Sequence, residues 1–320
     1  MHKFVCVLTC VFLIAGAGVP ADAADSIPVW AYPVNPPGLK PALDNGSLKQ
    51  VPNSAVAFTM TQIRDLFTPP DWHPDNHPPM PDVVGRGNKP GQFACGFCHL
   101  PNGQGRPENS SLAGLPASYI AQQVAEFKNG VRKSSEPASL PINLMVAVSK
   151  LVSEEDAKIA AEYFASLKPA PWIRVIETET VPKTKVGGWM LIEDGSGATE
   201  PIGQRIIEMP ENLERTELRD SASGFIAYVP RGSIFRGEAL ATNGAGKTTP
   251  CAICHGAGLK GLGPVPALAG RSPSYIVRQL YDIQHNTRNG QWSELMKPVV
   301  VGLSAEDLVA LAAYTASLTP

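Results

Sequence analysis

The sequence predicts a mainly α protein made of two matched helical units, with an extended N-terminal arm and a small β-rich insert between the units. Three observations carry this reading. The second half repeats the first at two successive offsets. Each copy ends in apolar residues at helical spacing behind a capping serine. Pro (31) and Gly (29) supply long loops without reaching the composition of a disordered chain.

The chain of 320 residues divides into five parts. Residues 1–23 read as a leader: a polar start, an apolar run from Phe4 to Val19, then Ala21-Asp22-Ala23 ahead of a cleavage point. The run is shorter than the ~20 residues of a spanning helix. The expected mature chain therefore has no membrane span and is exported, most simply to a bacterial periplasm. Residues 24–80 are a Pro-rich arm, extended over 24–53, with one short helix expected within Ala57 to Phe67. It closes on Asp71-Trp72-His73-Pro74-Asp75-Asn76-His77-Pro78-Pro79-Met80. Here His73, His77 and Met80 are either a copper-type donor set or part of a rigid loop across the first unit.

The first unit, 81–169, opens with a reduced helix near Pro81 to Gly87 and continues with a middle helix from about Ser118. It ends in a helix behind Ser153-Glu154-Glu155-Asp156, a capping signal followed by Ala157, Ala160, Ala161, Phe164 and Leu167. The insert, 170–230, has β-like runs at Trp172–Val181, Trp189–Ile192 and Phe225–Val229, broken by glycines. Its acids outnumber its bases, so it suits either a spacer between the units or a docking face for a basic partner. The second unit, 231–320, repeats the plan: a helix over about Ser233 to Thr242, a middle helix from Ser274, and a last helix behind Ser304-Ala305-Glu306-Asp307. Arg86-Gly87 and Arg236-Gly237 mark an expected close approach between the first and last helices of each copy.

The register of the repeat is readable. At an offset of 156, Leu112-Ala113-Gly114 matches Leu268-Ala269-Gly270, Ser118-Tyr119-Ile120 matches Ser274-Tyr275-Ile276, Gln123 matches Gln279, and Arg132 matches Arg288. After Arg132 the offset falls to 151, and Met145 then matches Met296. Two copies mean duplication of a unit.

Charge excludes one class early. Lys plus Arg is 27 and Asp plus Glu is 29; that balance gives no support to a nucleic-acid binder. Nor is there a serine triad, a complete phosphate loop or a dinucleotide fingerprint.

Cysteine carries the chemistry. Beyond Cys6 and Cys10 of the leader, four remain, in two copies of one string: Cys95-Gly96-Phe97-Cys98-His99 and Cys251-Ala252-Ile253-Cys254-His255. C-x-x-C-H is an attachment site for c-type haem. Two thiols add to the porphyrin vinyls, and His99 or His255 becomes the proximal iron ligand. A thioredoxin-like pair would need a βαβ context, a zinc site would not explain both histidines, and disulfides across three residues are uncommon. The cofactors expected are two covalently bound haem c groups on Cys95, Cys98, Cys251 and Cys254. Outside Met1, only Met145 and Met296 occupy matched places, each eight residues before the capping serine. A thioether opposite histidine suits a low-spin haem used for electron transfer; core methionines are the other reading. His77 or Met80 in place of Met145 is a further option.

Each copy resembles a class I cytochrome c, and the pair resembles the soluble di-haem cytochromes c of bacterial periplasms. The resemblance rests on C-x-x-C-H, the Gly/Pro-rich loop, Leu-Ala-Gly, Ser-Tyr-Ile-x-x-Gln, the matched methionine and the aromatic terminal helix. It implies two class I cytochrome c domains around six-coordinate haems, with a Pro carbonyl on each proximal histidine. Pro107 and Pro264 are the candidates, one residue out of register. Tyr119, Tyr275, Arg132 and Arg288 either line the haems and meet propionates or are ordinary core and surface residues.

With both irons closed by His and Met, the expected function is single-electron transfer between redox protein partners, with no catalytic residue. The rivals are a haem enzyme with one open iron, peroxidase-like or acting on small sulfur or nitrogen compounds, and a haem subunit of a larger dehydrogenase or oxidase complex.

Overall fold

The computed structural model describes residues 26–320. The expected leader, with its cleavage point after Ala23, lies outside the described residues. The first copy holds helices Asp82–Gly85, Cys95–His99, Ala117–Lys128, Leu140–Ser149 and Glu154–Ser166. The second holds Ser233–Asn243, Ala252–His255, Pro273–Gln284, Ser293–Val300 and Ala305–Ser317 in the same order.

The terminal helices start where the serines place them. Ser153 and Ser304 are extended N-caps whose hydroxyls accept from the backbone N–H of Asp156 and Asp307. Asp307 also reaches back to the Ser304 N–H, completing a capping box. In the first copy Ala160, Ala161, Tyr163 and Phe164 form the buried stripe, packed with Val84, Leu115 and Ile120. In the second, Leu308, Leu311, Ala312 and Thr315 are all buried.

The close approach expected of the two Arg-Gly pairs holds for one of them. At Gly237 a Cβ would lie 2.0 Å from the Ala310 carbonyl oxygen, so only glycine lets the first and last helices of the second copy touch. Gly87 instead lies against Gln92, Ala94 and Phe67. The first helix of that copy is a single turn, too short to cross the terminal helix in the same way.

The insert forms a three-stranded sheet from Ile173–Thr178, Phe225–Pro230 and Ile207–Pro210, with the 225–230 strand central. It pairs parallel to the first strand (Val175 opposite Ala227) and antiparallel to the other (Glu208 opposite Ala227). Burial alternates along the central strand: Phe225, Ala227 and Val229 are buried. Ala227 and Val229 pack with Leu240, Val309 and Ala313, so the insert shares a core with the second copy. Thr180–Pro182 pairs with Thr199–Pro201, and Thr184–Gly187 with Met190–Glu193.

The arm spans both copies. Ala31 and Tyr32 enter the core of the second, where the Tyr32 hydroxyl lies 2.7 Å from Asp282 Oδ1. Farther on, the helix within 57–67 is one turn, Met60–Ile63, closed by a Thr59–Gln62 capping box. The arm then lies on the first copy and the insert, with Trp72 buried against Leu218.

The copies meet through backbone. Lys133 N–H donates to the Thr287 carbonyl and Asn289 N–H to the Val131 carbonyl, each at 2.7 Å. Those pairs exchange under the 156 offset, so the contact has a local two-fold relation.

Candidate haem centres

Each string forms one helical turn, which brings cysteines three apart to the same face. All four thiols are free. Burial pushes the Cys95 thiol up to about 12 and raises Cys98 and Cys251 as well. Apolar surroundings of that kind disfavour the thiolate a zinc site needs and suit a neutral thioether.

The two histidines share one arrangement. His99 Nδ1 lies 2.8 Å from the Ser110 carbonyl oxygen, and His255 Nδ1 lies 2.8 Å from that of Pro266. A carbonyl can only accept, so Nδ1 carries the proton and Nε2 is left bare for a metal. Burial lowers both imidazole pKa values and keeps the rings neutral. The acceptors correct the Pro107 and Pro264 expectation. Ser110 and Pro266 are matched at the repeat offset, whereas the Pro107 carbonyl accepts from the Arg278 guanidinium. The loop that delivers each carbonyl turns tightly. Gly105 and Gly261 have φ of +68° and +91°, and their N–H groups donate to the carbonyls of His99 and His255.

Met145 lies half-buried on Leu140–Ser149, and Met296 half-buried on Ser293–Val300 against the second core. Met80 packs on Gly85 at the edge of the first core. The two arm histidines diverge. His73 Nε2 meets Asp220 at 2.9 Å, while His77 Nε2 meets Asp71 at 3.1 Å and its Nδ1 meets the Pro78 carbonyl at 2.9 Å. Among the described residues no group of three or more His, Cys, Asp or Glu converges on a metal position.

Tyr119, Tyr275, Arg132 and Arg288 come together between the copies. Arg132 donates to Gln123 (2.7 Å), Gln279 (2.9 Å) and Tyr275 (3.0 Å). Arg288 donates to Gln279 (3.1 Å), Gln123 (3.1 Å) and Tyr119 (2.9 Å). Burial raises the Tyr275 pKa, but Arg132 and Arg288 outweigh it and bring the phenol down to about 8. Buried Nε atoms of Arg271 and Arg288 have no hydrogen-bond partner. Orphaned cationic donors fit a group that brings anions, as haem propionates do. Gln123 and Gln279 were visible only as a matched pair of letters.

A further residue, Arg219 of the insert, carried no sequence signal. Its guanidinium lies 3.7 Å from the Phe97 ring centroid, and Nη1 donates to the Phe97 carbonyl at 2.7 Å. Burial lowers its pKa to about 10, which leaves it charged at neutral pH.

Comparison with known proteins matches residues 244–314 to the family model "Cytochrome C oxidase, cbb3-type, subunit III". Cytochrome c-554(548) of Halomonas halodenitrificans is 38% identical over 82 residues, 25% of this chain and 96% of that protein. The chain belongs to the class I cytochrome c family. Cytochrome c4 of Pseudomonas aeruginosa is 25% identical over 226 residues, covering 70% of this cytochrome and 83% of the relative. A thiosulfate dehydrogenase electron acceptor of Thiomonas intermedia is 26% identical over 232 residues, 71% of this cytochrome and 80% of that protein. With two C-x-x-C-H strings, this is a di-haem cytochrome c with covalently bound haem c, and its activity is electron transfer. Among the described residues no single helix is long and apolar enough to cross a membrane.

Proposed function

We propose that this cytochrome is a periplasmic electron carrier whose first haem is linked to Cys95 and Cys98 and whose second is linked to Cys251 and Cys254. His99 and Met145 close the first iron, and His255 and Met296 close the second. The domains are 81–169 and 231–320. The observation that carries the reading is the matched proton placement: both histidines give Nδ1–H to a carbonyl at 2.8 Å and offer Nε2 to the iron. A haem c group supplies an iron that cycles between two oxidation states. The chain keeps each imidazole neutral and oriented. Arg132 and Arg288 place fixed positive charge between the copies, and would neutralise carboxylates of a haem brought near them.

The test is an optical and near-infrared spectrum of the holoprotein with and without carbon monoxide. The expected result is two low-spin haems, a sulfur-to-iron band and no carbon monoxide shift. A high-spin fraction that binds carbon monoxide overturns closure of both irons and favours a haem enzyme.

The relative described as an electron acceptor of thiosulfate dehydrogenase supports a sulfur-compound dehydrogenase as electron donor. Rapid reduction of this cytochrome by such an enzyme with its substrate checks that assignment; no reduction above the rate without enzyme overturns it.

A further inference from the structure

The two strings sit in different surroundings. Phe97 is 6% exposed, while Ile253, at the matched position, is 64% exposed. Arg219 lies on Phe97. The positions matched to Arg106 and Glu108 are Leu262 and Pro264. Among the described residues Arg219 has no carboxylate ion pair. Glu108, which acts on it electrostatically, is tied to Arg106 at 3.0 Å. One half-buried positive charge is therefore left over beside Cys98.

The placement is built. Arg219 has φ +57°, an uncommon backbone for a side-chain-bearing residue. Its neighbours hold it there. Trp72 Nε1 donates to the Leu218 carbonyl at 2.7 Å, and the fully buried Asp220 carboxylate takes His73 on one oxygen and Arg215 on the other. Arm and insert together clamp one guanidinium onto the first string.

We propose that Arg219 tunes the first haem: its fixed charge raises that haem's reduction potential and leaves the second unaffected. Reduction adds one electron to ferric iron and lowers the net charge of the site by one. A half-buried cation nearby favours the reduced form, because the protein on its inner side screens it less than water would. The electron comes from the donor partner and leaves to the acceptor, so nothing else is consumed. This rests on the first haem being linked at Cys95 and Cys98.

The experiment is a spectroelectrochemical titration of holoprotein carrying Arg219→Gln, Arg219→Lys or Phe97→Ile. Mass of the intact protein is the control: two linked haems in every variant keep the haem assignment standing, and fewer than two in the unmodified protein removes it. A Met296→His background, which drops the second haem to low potential, identifies the upper step as the first haem. Arg219→Gln should lower the first haem's reduction equilibrium constant about tenfold, equivalent to about 59 mV for one electron. Arg219→Lys should return most of it, and the second step should not move. Phe97→Ile, which gives the first string the residue of the second, should shift the same step in the same direction and tests the idea if Arg219→Gln does not fold. An unmoved first step in the folded variants overturns the proposal. So does a fall in Arg219→Lys as large as in Arg219→Gln, since packing and not charge would then be responsible.

Discussion

At His99 and His255 the ring proton has one acceptor within reach, a backbone carbonyl eleven residues downstream. Any residue type can supply a carbonyl, so Ser110 and Pro266 carried no signal as letters; only the 156 offset pairs them. The cysteines and histidines were legible because covalent attachment demands those side chains. Arg219 was not, because a lone arginine in an insert has no partner pattern until the fold brings Phe97 beneath it. Met296→Ala should remove the sulfur-to-iron band of one haem and leave both groups attached, read by near-infrared absorption and intact mass. His77 titrates as well. Its hydrogen bond to Asp71 raises its pKa, against the opposing effect of burial. A raised folded pKa means stability that is full below the unfolded value of about 6.5 and is lost as pH rises through the folded value. The slope of unfolding stability against pH should flatten there in His77→Asn, measured by denaturant titration; an unchanged slope would remove His77 from that role.

At the scale of elements, capping and close packing decide which helices were readable. The terminal helices announce themselves because Ser153 and Ser304 bind the first-turn N–H groups. Ser304→Ala should cost about 1 kcal/mol. Gly237→Ala should cost more, about 1–3 kcal/mol, because its Cβ would press on the Ala310 carbonyl and on Tyr314 Cβ, neither of which is the free end of a flexible side chain. Thermal melts of the holoprotein rank the two; equal losses would mean the helices separate freely. The arm defeated pattern reading for the opposite reason. It has little regular structure, so where Tyr32 and Trp72 are buried is fixed by partners more than 140 residues away.

Across the whole molecule, the matched Arg, Tyr and Gln residues of the two middle segments interlock. Matched letters establish duplication but not which surface the copies share. That choice depends on the backbone pairing of 131–133 with 287–289. Removing Arg132 takes its bond from Tyr275 and one of two guanidinium donors from each of Gln123 and Gln279, which keep Arg288. Arg132→Leu should therefore destabilise the joint by about 1–3 kcal/mol. Calorimetry should then show one unfolding transition becoming two, with both haems still attached. A single transition at the original temperature would mean that the arm and insert alone hold the copies together.

The backbone pairing has a consequence for ancestry. Val131 is equivalent to Thr287 and Lys133 to Asn289 under one offset, while Lys133 bonds Thr287 and Asn289 bonds Val131, so a single unduplicated unit carries both halves of the joint. Such a surface is self-complementary, the kind through which identical subunits form a closed pair. The bonds run through peptide groups, which every substitution but proline retains. After gene fusion the four side chains were therefore free to diverge, as they have, while the joint stayed in place.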